Sequence, residues 1–199
     1  MTAPQLHAKT GGMALKATIH KASIQVSDLD RNAYSDHNLT IARHPSETDE
    51  RMMVRLLAFA LNAPPNNDLG DLELGKDMWE PDAPALWQRD LTGLLMHWIE
   101  LGQPDEKQIL RVCSRSKKVT VYSYSSATSV WWAGIANKIT RAKNLAIWQI
   151  PAEQAEALGA LVKRSMDLQL TLQDGSLWVG EGERSVEVTL QCLYGNPDA

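Results

Sequence analysis

Three stretches of this chain carry carboxylates at spacings that could do chemistry: HPSETDERMM around Glu50, LWQRD ending at Asp90, and WIELGQPDEK around Glu100. From His44 to Glu106 there are thirteen Asp and Glu against four Lys and Arg. The next stretch reverses the sign. Lys107 to Ala152 holds eight Lys and Arg (Lys107, Arg111, Arg115, Lys117, Lys118, Lys138, Arg141 and Lys143) and no acid. Carboxylates beside a cationic strip are what a metal-assisted phosphodiester site needs, because acids hold Mg²⁺ and bases hold phosphates. The same pattern can also be ordinary surface charge.

The elements that must position these groups follow from the hydrophobic pattern. LKATIHKASIQV (15–26) and HNLTIARH (37–44) read as an opening antiparallel hairpin around the turn-rich DLDRNAYSD. Ser46 followed by Asp49 resembles a capping box, and Met53, Leu56, Leu57 and Ala60 predict a helix over about 47–62. Glu50 falls three residues before Met53 and seven before Leu57, on the stripe turned toward the core, with Glu47 one turn earlier. Both acids also suit the positive end of the helix dipole, worth about 0.3–1 kcal/mol.

LLMHWIELG has the length and bounds of a central strand, on which Trp98 and Glu100 share one face. Pro104, Asp105 and Glu106 suit the first turn of a following helix. KVTVYSY and NLAIWQI read as further strands, SATSVWWAGIANKI and PAEQAEALGALVKRSM as helices, and Asp174-Gly175 as a hairpin turn within the closing strands. The expected architecture is one α/β domain, a mixed β-sheet flanked by helices.

At 199 residues the chain suits one well-buried core. A net charge of -4 gives no bulk attraction to a polyanion, so a nucleic-acid partner has to be held by local asymmetry. Two widely separated cysteines, Cys113 and Cys192, argue against a disulfide scaffold or zinc cluster and for the cytoplasm. No apolar run approaches the roughly 20 residues that span a bilayer. The leader MTAPQLHAKTGG (1–12) lacks the apolar centre of a secretion signal and is expected to be disordered, with Met13 an alternative start. Residues 13–195 form the expected domain and 196–199 a tail.

MALKATIHKA, ARHPSETDERMMVRLLAFAL, WIELGQPDEK, VTVYSYSSATSVWW and LTLQDGSLWV, in this order from Met13 to about Leu193, resemble the bacterial YaeQ family. The resemblance implies a compact variant of the PD-(D/E)XK, restriction-endonuclease-like fold, whose members bind a divalent metal and cut DNA or RNA. By that analogy Glu50 matches the helix acid, Asp90 the first strand acid and Glu100 the acid of the (D/E)-x-K element. These three are the expected Mg²⁺ or Mn²⁺ ligands and, with Arg111, the expected catalytic set. Arg111, Lys117 and Lys118 are the expected phosphate binders, with Glu47, His44 and Lys107 as weaker candidates.

One departure stands out. Gly102 occupies the position two after Glu100, where an active nuclease carries lysine to steady developing charge. Arg111 can clamp a phosphate but stays protonated and is a poor proton carrier. The competing reading is therefore an inactive nuclease-fold module that binds nucleic acid or a transcription-related protein; a weaker third is a protein adaptor. His97, within an apolar run, and Trp131-Trp132 read first as core groups.

Overall fold

The computed structural model describes residues 16–195. The expectations for the 1–12 leader, a start at Met13 and the 196–199 tail lie outside the described residues.

The chain forms two sheets. The opening hairpin pairs β1 (Thr18–Asp28) with β2 (Ala33–Arg43) over their full length. β8 (Ser165–Gln173) joins β1 in parallel and is followed antiparallel by β9 (Ser176–Glu181) and β10 (Arg184–Val188), giving the order β10-β9-β8-β1-β2. The predicted Asp174-Gly175 turn joins β8 to β9, with φ of 52° and 75° as a tight hairpin requires.

The second sheet contains β3 (Leu72–Leu74), β4 (Leu86–Arg89), β5 (Leu95–Leu101), β6 (Ser116–Ser123), β7 (Leu145–Gln149) and β11 (Gln191–Tyr194), in the order β11-β7-β6-β5-β4-β3. Its centre, β5-β6-β7, is parallel. The described residues also form four α-helices: α1 (Asp49–Asn62), α2 (Glu106–Cys113), α3 (Thr128–Ile135) and α4 (Ala152–Gly159).

Burial explains the division into two sheets. α1 and α4 pack with Ile24, Ile41 and Leu168 of the first sheet and with Leu86, Ile99 and Tyr122 of the second in one continuous core. On the other face of the second sheet, α2 and α3 cover Trp98, Val119, Val121 and Ile147. The parallel centre is thus apolar on both faces, which is why its strands read as unbroken hydrophobic runs. β8 instead alternates buried and exposed residues and suits a sheet with one face to water. The single expected sheet is therefore corrected to two: β11 takes the free edge of β7, and β8 pairs with β1. The architecture is α/β with helices flanking mixed sheets.

Candidate functional site

The sheet delivers Glu100 to the carboxyl end of β5, one residue before the strand ends. Trp98 shares its face, as the two-residue period predicts, and the indole Nε1 donates to Glu100 Oε1 at 2.9 Å. Gln108, in the first turn of α2, donates from Nε2 to the same oxygen at 2.9 Å. The Asp105 carboxylate, capping α2, accepts from the Gln108 backbone N–H at 2.7 Å and so fixes where that side chain starts. Glu100 is 6% exposed. Burial pushes its carboxyl above its ordinary value, the two hydrogen bonds pull it back, and nearby Asp77 adds to the rise. Gly102 turns the chain from β5 toward α2 at φ 100°, where a lysine would be strained, a local reason for glycine at this position.

Beside Glu100 lies a buried ion-pair network. The helix cap is Thr48, whose side chain accepts from the Arg51 backbone N–H, in place of the expected Ser46-Asp49 box. Glu47, just before the cap, is 2% exposed. Its Oε1 accepts from Arg51 at 3.0 Å and its Oε2 from Arg55 at 2.8 Å, partners one and two helical turns onward. Arg51 also pairs with Asp77, from the irregular segment between β3 and β4. Burial opposes the Arg51 charge, but Asp77 and Glu47 outweigh it and hold the guanidinium protonated. For Arg55 burial prevails and lowers the pKa, against Glu47 and Asp77. Half-buried Tyr124 sits within electrostatic reach of Arg51, Glu47, Asp77 and Glu50, and burial raises its hydroxyl pKa.

Glu47, Asp77 and Glu100 thus form a buried cluster around Arg51, with Glu50 within electrostatic reach of the same Tyr124. Glu50 is half-buried and packs toward α4: a Cβ added at Gly159 would come within 3.1 Å of Glu50 Cγ. Asp77, Arg51 and Arg55 are the residues the sequence reading missed. The spacing of Glu47, Arg51 and Arg55, four residues apart each time, is a local signal that could have found the two arginines. Asp77 has none, because its partner is 26 residues away in an aperiodic segment.

Asp90 does not join this group. It closes the β4–β5 turn, where its Oδ1 accepts from the Thr92 N–H at 2.8 Å, the Thr92 hydroxyl at 2.7 Å and the Leu94 N–H at 2.9 Å. Those bonds, the Thr92 hydroxyl first, hold its carboxyl below the ordinary range. The hairpin register sets Arg89 opposite Leu95, at the far end of β5 from Glu100, roughly 17 Å away at about 3.3 Å per residue. The expected convergence of Glu50, Asp90 and Glu100 is corrected accordingly, since Asp90 precedes the turn into β5 while Glu100 lies near the strand's other end.

The expected phosphate binders also divide. Arg111 lies one turn after Gln108 and donates to Asp82 at 2.7 Å. Lys117 and Lys118 open β6, whose parallel register pairs Leu95 with Ser116 and Glu100 with Val121. They stand at the opposite end of the sheet and cannot share a phosphate with Glu100. His44 accepts the Ser46 N–H on Nδ1 and packs edge-on against Trp79. Lys107 is exposed on α2. His97 bonds to Thr120 in the core, where burial lowers its pKa to about 3, and Trp131 and Trp132 pack with the core under α2 and α3.

At the Lys117 end, Arg115, Lys117, Arg141 and Lys143 are exposed and enter no ion pair among the described residues. Asn144 binds the two loops that carry them together, donating to Cys113 O at 2.9 Å and Ser116 O at 2.8 Å. Arg89, stacked over the Trp87 ring at 3.6 Å, lies at this end too.

The carboxylate oxygens of this cluster are hard donors of the kind Mg²⁺ takes, yet their arrangement does not fit an octahedral ion. Glu47 and Asp77 are already closed on guanidiniums, Asp90 is remote, and burial disfavours the anion of Glu100. Among the described residues no three His, Cys, Asp or Glu side chains form a group that could hold a metal ion. Nor is any helix among them long and apolar enough to cross a membrane.

A family model described as YaeQ protein matches residues 13–190. The YaeQ protein of Escherichia coli K12 is 42% identical over 180 residues, covering 89% of this chain and 96% of that protein. The Salmonella typhi protein is 41% identical over the same length. The crystal structure of the YaeQ protein from Xanthomonas axonopodis pv. citri superposes with a TM-score of 0.84 at 43% identity, covering 90% of this chain and 99% of that one. The Pseudomonas syringae YaeQ structure gives 0.83 at 35% identity, covering 90% and 97%.

Two outcomes follow for stability. Glu47→Gln leaves Arg51 and Arg55 undercompensated in the interior and should cost about 3–5 kcal/mol in urea denaturation; a loss under about 1 kcal/mol would contradict the network. For Glu100, folding raises the carboxyl pKa, so the stability contributed by its proton is complete below the ordinary 4.5 and is lost as pH rises through the raised value. Glu100→Gln keeps an oxygen for Trp98 and Gln108 but does not ionise. It should therefore gain stability relative to the wild type between acid and neutral pH, and a difference independent of pH would contradict the assignment.

Proposed function

The chain belongs to the YaeQ family, and from that premise we propose that it is a binding module on a compact PD-(D/E)XK-type fold, holding nucleic-acid backbones without cutting them. The observation that carries this reading is the basic end of the second sheet. Lys117 at the start of β6 and Arg115, Arg141 and Lys143 in the flanking loops, which Asn144 joins, are exposed there, within a stretch of 46 residues (107–152) that lacks any acid. Phosphate contacts of this kind supply affinity through released counterions and need no net positive charge on the whole protein. The carboxyl end of α2 lies beside them, where its partial negative charge favours cations.

Two features weigh against cutting. Arg51 occupies the space between Glu47 and Asp77, and Gly102 stands where the nuclease lysine is expected. The second reading, a Mg²⁺- or Mn²⁺-dependent phosphodiesterase, draws its support from Glu100, which accepts both its hydrogen bonds on Oε1 and is given none on Oε2 among the described residues. A cytoplasmic setting belongs to either reading.

Binding to a short duplex, measured by fluorescence anisotropy across a salt series, should weaken roughly tenfold or more in Lys117→Glu with Arg141→Glu. The slope of log K against log salt should fall by about 2. Unchanged binding would overturn the proposal and leave a protein partner as the better reading. Mn²⁺-dependent cleavage abolished by Glu100→Ala would replace binding with the phosphodiesterase.

A further inference from the structure

Trp87, Trp98, Val119 and Leu145 are neighbours in register across β4, β5, β6 and β7, and all four belong to the core under α2 and α3. The two-residue period of a strand therefore gives Arg89 the face of Trp87 and Lys117 the face of Val119. Both stand at the end of the sheet where β5 and β6 begin. Lys143, two residues before Leu145, continues the row in the loop that leads into β7. From β4 to β7 the row crosses three strand spacings, roughly 14 Å.

Arg89 differs from the other cations of this row. Its guanidinium carbon lies 3.6 Å from the centroid of the Trp87 ring, and Trp87 in turn meets Trp98 edge-on. The guanidinium thus has one face on an indole anchored in the core. Arg89 is exposed and enters no ion pair among the described residues, so its other face is turned to water. Asp90 beside it commits Oδ1 to Thr92 and Leu94, and the turn held in this way presents Leu91 at 96% and Leu94 at 43% exposure. Against the charge of Asp90 stand exposed Arg89, Arg115, Lys117, Arg141 and Lys143.

These groups discriminate between the forms of a polyanion. Lysines read phosphates, which a strand and a duplex both supply. A planar guanidinium with leucine surface next to it gains its contact from the face of a base, and inside a duplex those faces are already stacked on neighbouring pairs. We propose that the basic end takes single-stranded nucleic acid, its backbone along Lys117 and Lys143 and one base stacked on the Arg89 guanidinium over Trp87. This rests on the nucleic-acid-binding reading above and names the form of the ligand.

The probes are a short oligodeoxythymidylate, its duplex with oligodeoxyadenylate, and an abasic oligomer of the same length, each titrated with the full chain by fluorescence anisotropy across a salt series. The strand should bind more tightly than the duplex, and about tenfold more tightly than the abasic oligomer. Arg89→Lys, at an exposed position, keeps the charge and removes the planar face. It should weaken the strand about tenfold, leave the salt slope unchanged and erase the advantage over the abasic oligomer. A duplex bound as tightly as the strand, an abasic oligomer bound equally well, or a strand affinity unchanged in Arg89→Lys would each overturn the single-strand inference and leave backbone binding in place. Binding of none of the three probes would overturn both.

Discussion

The structure around the ion-pair cluster depends on one buried carboxylate, Glu47. It sits where β2 turns into α1 and is almost fully removed from water, a position tolerable for an anion only if cations come with it. Arg51 and Arg55 supply them from the first two turns of the helix, while Arg43 at the end of β2 donates from Nε and Nη2 to the Glu47 carbonyl at 2.9 and 2.7 Å. Arg43 also pairs with Asp49 at 2.6 Å, so the corner between the hairpin and the helix is held from both sides. Through Arg51 the network extends to Asp77 and fastens the irregular segment between β3 and β4 against α1. That segment also carries Asp82, the partner of Arg111 on α2, and Lys76 and Trp79, which line a cavity beside β2 and α1.

The same constraint shapes what the molecule offers to a partner. Guanidiniums committed to Glu47 and Asp77 leave little charge for a phosphate beside Glu100. The exposed arginines and lysines are at the other end of the parallel strands, separated from Glu100 by the length of β5 and β6. Acidic and basic groups that adjoin in sequence are thus divided in space, because each parallel strand carries the chain from one end of the sheet to the other.

The fold was legible where burial imposes a simple period. α1, the apolar β5, a helix starting near Pro104–Glu106 and the Asp174-Gly175 turn all follow from local pattern, although Asp105 caps α2 and is not part of its first turn. The short β3 and β4 were not read as strands, since three and four residues around Trp79, Pro81 and Pro84 give no usable alternation. The split into two sheets was equally hidden: it depends on β8 choosing β1 as its neighbour, a pairing across some 140 residues. Within the site, Glu100 and its shared face with Trp98 were readable from strand period. Asp90 was misplaced because a hairpin turn intervenes between it and the strand, and the role of Glu47 was underrated because its partners define it, not its place at a helix start.

The central claim is that contact with nucleic acid is made at the basic end and not at the ion-pair cluster beside Glu100. The most direct measurement is an NMR titration of the labelled protein with a short duplex, read at assigned backbone amides. The account predicts shift changes concentrated at residues 89–95, 114–118 and 139–144. Changes centred on Arg51, Asp77, Glu100 and Gln108, with the basic loops silent, would contradict it.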